Sequence, residues 1–172
     1  MNKTLAIALA TAALASVATT AFAQETKPLG LSLRAGIFWP TDSAAKNSGN
    51  TWFIGGAEYK VGDLHFGASQ PGYQSSWSVS VDWYQKNDYR NLPVLLNYVG
   101  RKDQFFYSAG AGVGFTRRPV TGGTKSQTEL AYQVGVGYDF MKGQTPLFVE
   151  VKWHGSGESK LNGFAAYIGV RF

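Results

Sequence analysis

Cysteine is absent from the 172 residues, so disulfides and thiolate metal sites are excluded. Charge is sparse: Asp, Glu, Lys and Arg make up 16% of the chain, and the basic residues form no long run. A nucleic-acid-binding surface therefore has little support. No segment offers the roughly 20 consecutive apolar residues that a membrane-spanning helix requires. Helical periodicity is missing as well, everywhere after residue 24. Proline is scarce: Pro28, Pro40, Pro71, Pro119 and Pro146 fall between or at the ends of alternating segments, and only Pro93 intrudes. What is abundant is glycine, with 21 residues, and aromatic side chains, at 15%. Glycine is a poor helix former and aromatics favour strands. The composition points to closed β-structure.

The opening stretch MNKTLAIALATAALASVATTAFA carries Lys3, an apolar run from Leu5 to Val17, and a small-residue Ala21-Phe22-Ala23 ending. That order is the pattern of a secretory signal peptide. The run is too short to span a bilayer, and no charged stop follows it. Cleavage is expected before Gln24, giving a leader over 1–23 and a single domain over 24–172. Losing Lys3 lowers the formal net charge from +5 to +4.

Apolar and polar positions alternate over 29–39, 51–61, 75–85, 90–100, 104–115, 129–140, 147–154 and 162–172. Most of these segments are close to the about 9–11 residues of a tilted membrane strand. They predict an all-β fold, an eight-stranded antiparallel up-and-down β-barrel; alternation alone fits a soluble lipocalin-like barrel as well as a membrane one, and the contents of the faces decide for a transmembrane β-barrel. Pro93 belongs near a rim, where its missing N–H costs little. TDSAAKNSGN, RPVTGGTKSQT and GSGESKL read as long polar loops, and RKD and MKGQTP as short turns. The connector GDLHFGASQPGYQ (62–74) is long where a short turn is expected, and its His65 has no evident partner.

The contents of the two faces indicate which one meets lipid. One face collects Leu31, Leu33, Ile37 and Trp39, then Trp77, Val79, Val81 and Trp83, then Leu130, Tyr132, Val134, Val136 and Tyr138. The other collects Ser32, Arg34 and Gly36, then Ser76, Ser78, Ser80 and Asp82, then Gln133, Gly135, Gly137 and Asp139. An eight-stranded barrel is only wide enough to be filled by side chains, and the large set would overfill it. The large set therefore faces outward. Trp39, Phe53, Trp83, Phe115, Tyr132, Trp153 and Phe164 fall near one rim, with Tyr59, Trp77, Tyr98, Phe105, Phe140 and Phe172 near the other. Two aromatic belts at the lipid–water boundaries are expected of such a barrel.

With its leader, its alternating segments and its terminal FAAYIGVRF, the chain resembles the small outer-membrane β-barrels of the OmpA/OmpX-like kind. The resemblance implies an outer-membrane location, reached through the cleaved leader. It also implies that Phe164, Ile168, Val170 and Phe172 form the signal read by the barrel-assembly machinery, with Ala166 a weaker match. The last strand must close on the first, leaving no open edge in lipid.

By parity the lumen receives Arg34, Glu58, Lys60, Asp82, Glu129, Asp139, Glu150, Lys152 and Arg171. Charges in so narrow a space must be paired or hydrated. The expected reading is a lumen plugged by polar and charged side chains, in a monomer with a structural or surface-interaction role. A narrow-pore transporter of small solutes is the alternative for the lumen. A second alternative starts from WHGSGE (153–158), where His154 and Ser156 resemble the hydrolytic pair of the lipid A deacylase family. Gly157 stands where that family has Asn after its Ser, and Ala165 stands where its orienting Glu is expected. The expectation is no enzyme, no cofactor and no metal. The loop cations Lys46, Lys86, Arg90, Arg117, Arg118, Lys125 and Lys160 would suit outer-membrane lipid, and lipopolysaccharide phosphates in particular.

Overall fold

The computed structural model describes residues 30–64, 72–140 and 146–172. The leader and its cleavage site, Pro28, His65 and Pro71 lie outside the described residues. The strands run in chain order as β1 (Leu31–Pro40), β2 (Trp52–Leu64), β3 (Tyr73–Lys86), β4 (Tyr89–Lys102), β5 (Phe105–Val120), β6 (Gly123–Asp139), β7 (Leu147–Ser156) and β8 (Gly163–Arg171). They form one closed barrel. Each strand pairs antiparallel with the next, and β8 returns to β1 with Ile168 opposite Ala35. Closure satisfies every edge, which a sheet in lipid requires. Beyond β8, the Phe172 N–H donates to Leu31 at 2.7 Å.

The expected strands are all present, and β2 to β6 are longer than the alternation suggested, β5 and β6 the most. RPVTGGTKSQT is not a loose loop. Strands β5 and β6 continue through it as a hairpin that turns at Thr121–Gly122, with Gly122 at φ +86°. Above the bilayer no face needs to be apolar, so the polar ladder leaves no alternation to read. Similarly, the 62–74 connector shrinks because β2 runs to Leu64 and β3 starts at Tyr73. The tight turns after β3 and β4 place Asn87 and Asp103 in the left-handed region, at φ 50° and 55°. Asn and Asp tolerate that conformation best among residues with a side chain. Pro93 is buried within β4 and sits opposite Gly114 of β5. On the β3 side the regular pairs pass from Val81–Val94 to Tyr84–Asn91, so its missing N–H falls in a gap of the ladder.

The outward face is the large apolar set, as expected. Ile37, Trp39, Trp77, Trp83, Tyr132, Val134 and Val136 are all exposed on the barrel exterior. Rings pair within the rims: Trp153 with Phe164 at 4.8 Å, Phe53 with Trp83 at 6.4 Å, and Phe105 with Tyr138 at 5.0 Å. Of the terminal residues, Phe164 and Ile168 are exposed on this face and Val170 is half-buried.

The interior is less uniformly small than the Gly/Ser reading implied. Phe38, Trp52, Tyr84, Phe106, Phe148 and Tyr167 all point inward and are buried. Glycine makes the room. A methyl group at Gly137 would overlap the Phe106 ring, and one at Gly169 would overlap Phe148. A Cβ at Gly163 would lie 2.6 Å from the Phe38 ring. Phe106, Phe148 and Phe38 each sit against a glycine of the neighbouring strand.

Two short loop elements close one end. Helix α1 (Ser43–Asn47) starts at Asp42, whose carboxylate accepts from the N–H groups of Ala44 and Ala45 at 2.8 and 3.1 Å. A 3-10 turn, η1 (Ser159–Leu161), follows β7. Ala45 and Leu161 are fully buried and join Phe38, Trp52, Ile54, Tyr84 and Tyr89 in an apolar cluster inside the barrel mouth.

Candidate functional site

The middle of the barrel is organised around Arg34, whose place on β1 puts its side chain inward between Leu33 and Ala35. Its Nε donates to Asp82 Oδ1 at 2.9 Å and its Nη2 to Asp82 Oδ2 at 2.7 Å, a two-pronged contact that suits a planar guanidinium. Its Nη1 donates to Glu58 at 2.9 Å and to Glu150 at 3.5 Å. Lys152, fully buried, lies 3.2 Å from Glu150 and 3.8 Å from Glu58. Two cations thus meet three carboxylates contributed by β2, β3 and β7. The close approach of β2 to β3 here depends on Gly56, where any side chain would collide with Asp82.

A second layer lies toward the end of the barrel where β1 begins and β8 ends. Asp139 is shared by Arg101, through a short contact, and by Arg171, whose Nε donates at 3.1 Å. Arg171 Nη1 donates to Ser32 at 3.2 Å. The Arg171 guanidinium lies over Phe106 at 4.5 Å and over Phe148 at 4.2 Å, a cation against two ring faces. This layer pairs Arg171 with Asp139, while Glu150 is paired with Arg34 and Lys152.

Not every residue assigned to the lumen by parity joins these layers. Lys60 is exposed and pairs with Asp63 at 2.5 Å. A register shift between Lys60 and Gly62 lifts that part of β2 out of the regular ladder. Glu129 is half-buried and stands above the last β6–β7 pair, Ala131–Ser156, on the protruding hairpin. The alternation gave no reason to stop at those two points.

Several interior residues were not anticipated. Arg101 was assigned to a turn, yet the inward series Asn91, Pro93, Leu95, Asn97 and Val99 leads directly to it, so period two was signal enough. Asn97 bridges two strands, donating to Ser80 at 2.9 Å and accepting from Gln133 at 2.6 Å. Tyr167 joins the charged layer to the apolar cap: its hydroxyl lies 2.8 Å from His154 Nε2 and donates to Asp82 at 3.4 Å. Nothing in a lone Tyr on the last strand announces that role.

His154 and Ser156 are both buried, but they do not address each other. His154 is turned to Tyr167, with Phe38 and Tyr84 rings at 6.3 and 5.8 Å. The Ser156 hydroxyl donates to the Glu158 carbonyl at 2.9 Å and lies 3.2 Å from Asn162 Oδ1. Those contacts fold the 157–162 loop over the mouth. A serine activated by histidine needs its proton directed at the ring nitrogen, and here it is directed at a backbone carbonyl.

On the outer face of the opposite end, Arg90 and Arg117 are directly opposed on β4 and β5. They line a shallow cleft, or sit beside it, with Phe115, Thr116 and Thr128. Arg118 instead reaches Glu158 at 2.6 Å and ties the hairpin to the β7–β8 loop.

The family described as "Outer membrane protein beta-barrel domain" matches residues 8–172. No curated protein matches. Among solved structures, the chain is similar to the Yersinia pestis outer membrane protein Ail, determined in a phospholipid bilayer nanodisc, at 14% identity and TM-score 0.47, covering 83% of this chain and 98% of Ail. It is also similar to the N-terminal barrel domain of Pseudomonas aeruginosa OprF, at 13% identity and TM-score 0.45, covering 85% and 98%. The family match spans every strand of the closed ring, and this chain belongs to the outer membrane protein beta-barrel domain family, as a barrel protein of the outer membrane.

Proposed function

We propose that the protein has a structural or surface-interaction role, with a lumen closed by its own side chains rather than held open for transport. The observation that carries this reading is the Arg34 cluster. Arg34, Asp82, Glu150 and Lys152 are all buried and mutually paired across the barrel axis. Buried pairs of this kind resist opening, because separating them strands a charge. In planar bilayers the wild-type protein should pass little steady current. Large, ion-selective currents would instead make the charges the lining of a path.

The surface role rests on the loop-end cations. Like charges placed directly across a ladder repel, and the Arg90–Arg117 pair has no acidic partner among the described residues. An anion seated between them would relieve that cost, and lipopolysaccharide phosphate is the anion abundant at that membrane surface. Joint replacement of Arg90 and Arg117 by Gln should reduce co-purifying lipopolysaccharide without lowering folded yield. Retention at the wild-type level would remove the assignment.

Biogenesis follows the same reading. The leader is cut before Gln24, and the assembly machinery recognises Phe164, Ile168, Val170 and Phe172. The barrel is monomeric. Deleting Phe172, or changing Val170 to Asp, should cause accumulation and degradation in the periplasm. N-terminal sequencing of the membrane form should begin at Gln24. A hydrolase role is disfavoured by the partners of His154 and Ser156. An acylation change in lipid A that is lost in Ser156→Ala would restore it.

A further inference from the structure

The lumen is asymmetric: one end is filled by the apolar cap, and the other, where β1 begins and β8 ends, opens into a cavity of about 320 Å³. Glu58, Lys60, Asp63, Ser78, Arg101 and Arg171 contribute to its wall. Three side-chain cations and two side-chain carboxylates line it. Lys60 and Asp63 satisfy each other at 2.5 Å, and Glu58 is engaged by Arg34 and Lys152 from behind the wall. That leaves Arg101 and Arg171 sharing the single carboxylate of Asp139.

Hydrogen bonding shows the same imbalance. Phe106 and Phe148 pack beside the Arg171 guanidinium at 4.5 and 4.2 Å, Asp139 takes Nε and Ser32 takes Nη1. Arg171 Nη2 is buried and has no hydrogen-bond partner among the described residues, and the same holds for Ser78 Oγ. Both residues face the same cavity. A buried donor left without an acceptor is costly, and more so when it is charged.

We propose that this cavity is a binding site for a small oxyanion, a carboxylate or phosphate group, which enters from the end of the barrel where β1 begins and β8 ends. The anion accepts from Arg171 Nη2, from the free edge of Arg101 and from the Ser78 hydroxyl. It supplies the acceptor that Arg171 Nη2 lacks. The cavity lies at the small end of the range for ligand pockets, about 300 Å³ and upward, so it suits a group of few heavy atoms and not a lipid. The site is separate from the loop-end arginines and meets the Arg34 cluster only at Glu58, and it stands whether or not the lumen conducts.

The test uses isotope-labelled full-length barrel in detergent micelles, titrated with inorganic phosphate and separately with acetate at constant ionic strength. Saturable shifts are expected in the Arg101 and Arg171 Nε–H signals and in the backbone amides around Ser78. Arg101→Gln should weaken the apparent affinity by about tenfold, the loss of one charge-assisted contact. Ser78→Ala, which removes only a small hydroxyl and keeps the fold, should weaken it by a smaller factor. Saturable shifts with either anion support the site, and a preference between them identifies the group. No saturable shift with either anion, unchanged affinity in both variants, or shifts confined to Arg90 and Arg117 would overturn it.

Discussion

The middle of the lumen and its loop end are walled by the same strands, yet they are filled by opposite chemistry. In the middle, Arg34 and Lys152 sit among Glu58, Asp82 and Glu150. One end away, Phe38, Trp52, Tyr84, Tyr89 and Leu161 pack with almost no exposure. The difference follows from what each region can recruit. Mid-barrel, the ring of strands is the only source of side chains, and inward positions opposite glycine must neutralise one another across the axis. At the loop end, α1 and η1 fold back and bring Ala45 and Leu161 as extra apolar surface. A cluster supplied from outside the wall can be apolar, because it excludes water from above as well as from the sides. Tyr167 and His154 form the boundary between the two.

Removing Arg34 should break this contrast most severely. Arg34→Ala leaves three buried carboxylates facing Lys152, and should destabilise the fold by about 5 kcal/mol, at the upper end for a broken buried pair. Denaturant unfolding in lipid vesicles, read by heat-modifiable gel migration, measures it; a loss under about 1 kcal/mol would mean the charges are hydrated. Phe38→Ala removes the ring at the centre of the apolar cap and should cost about 3–4 kcal/mol in the same assay. If the cap is a separate unit, that loss should add to the loss from Arg34→Ala.

Smaller effects sharpen the boundary. Gly137→Leu forces a side chain into the Phe106 ring beneath the charged layers and should cost about 1–3 kcal/mol, as overpacking does. Gly62→Leu, with nothing near its Cβ position, is the control and should be close to neutral. The smallest change belongs to Arg118→Ala. Its pair with Glu158 is partly exposed, at 27% and 10% of the side chains, so unfolding should shift by less than about 1 kcal/mol. Proteolysis at the hairpin should nevertheless increase, because that contact is what ties 116–128 to the β7–β8 loop.

The barrel was legible because period two has only one consistent burial in lipid. Leu31 to Trp39 (Phe38 apart), Trp77 to Trp83 and Leu130 to Tyr138 each put their large residues on one side, and the closed ring with its outward face follows. The same parity brought Arg34, Glu58, Asp82, Glu150 and Lys152 to the inside, since alternation fixes a side and nothing more. It could not follow β2 past its register shift at Lys60, nor see β5 and β6 continue as a polar hairpin. Alternation also says nothing about height along the axis or about reach across it. Which carboxylate Arg34 holds, why Arg171 goes to Asp139 and not Glu150, and that His154 turns to Tyr167 while Ser156 caps a loop all depend on residues more than ten positions apart meeting across the lumen, or on how a loop folds back. Those meetings are set by strand stagger and by which glycines let the walls approach. The residue pattern therefore determined the architecture, and the closed tertiary structure alone decided the pairings within it.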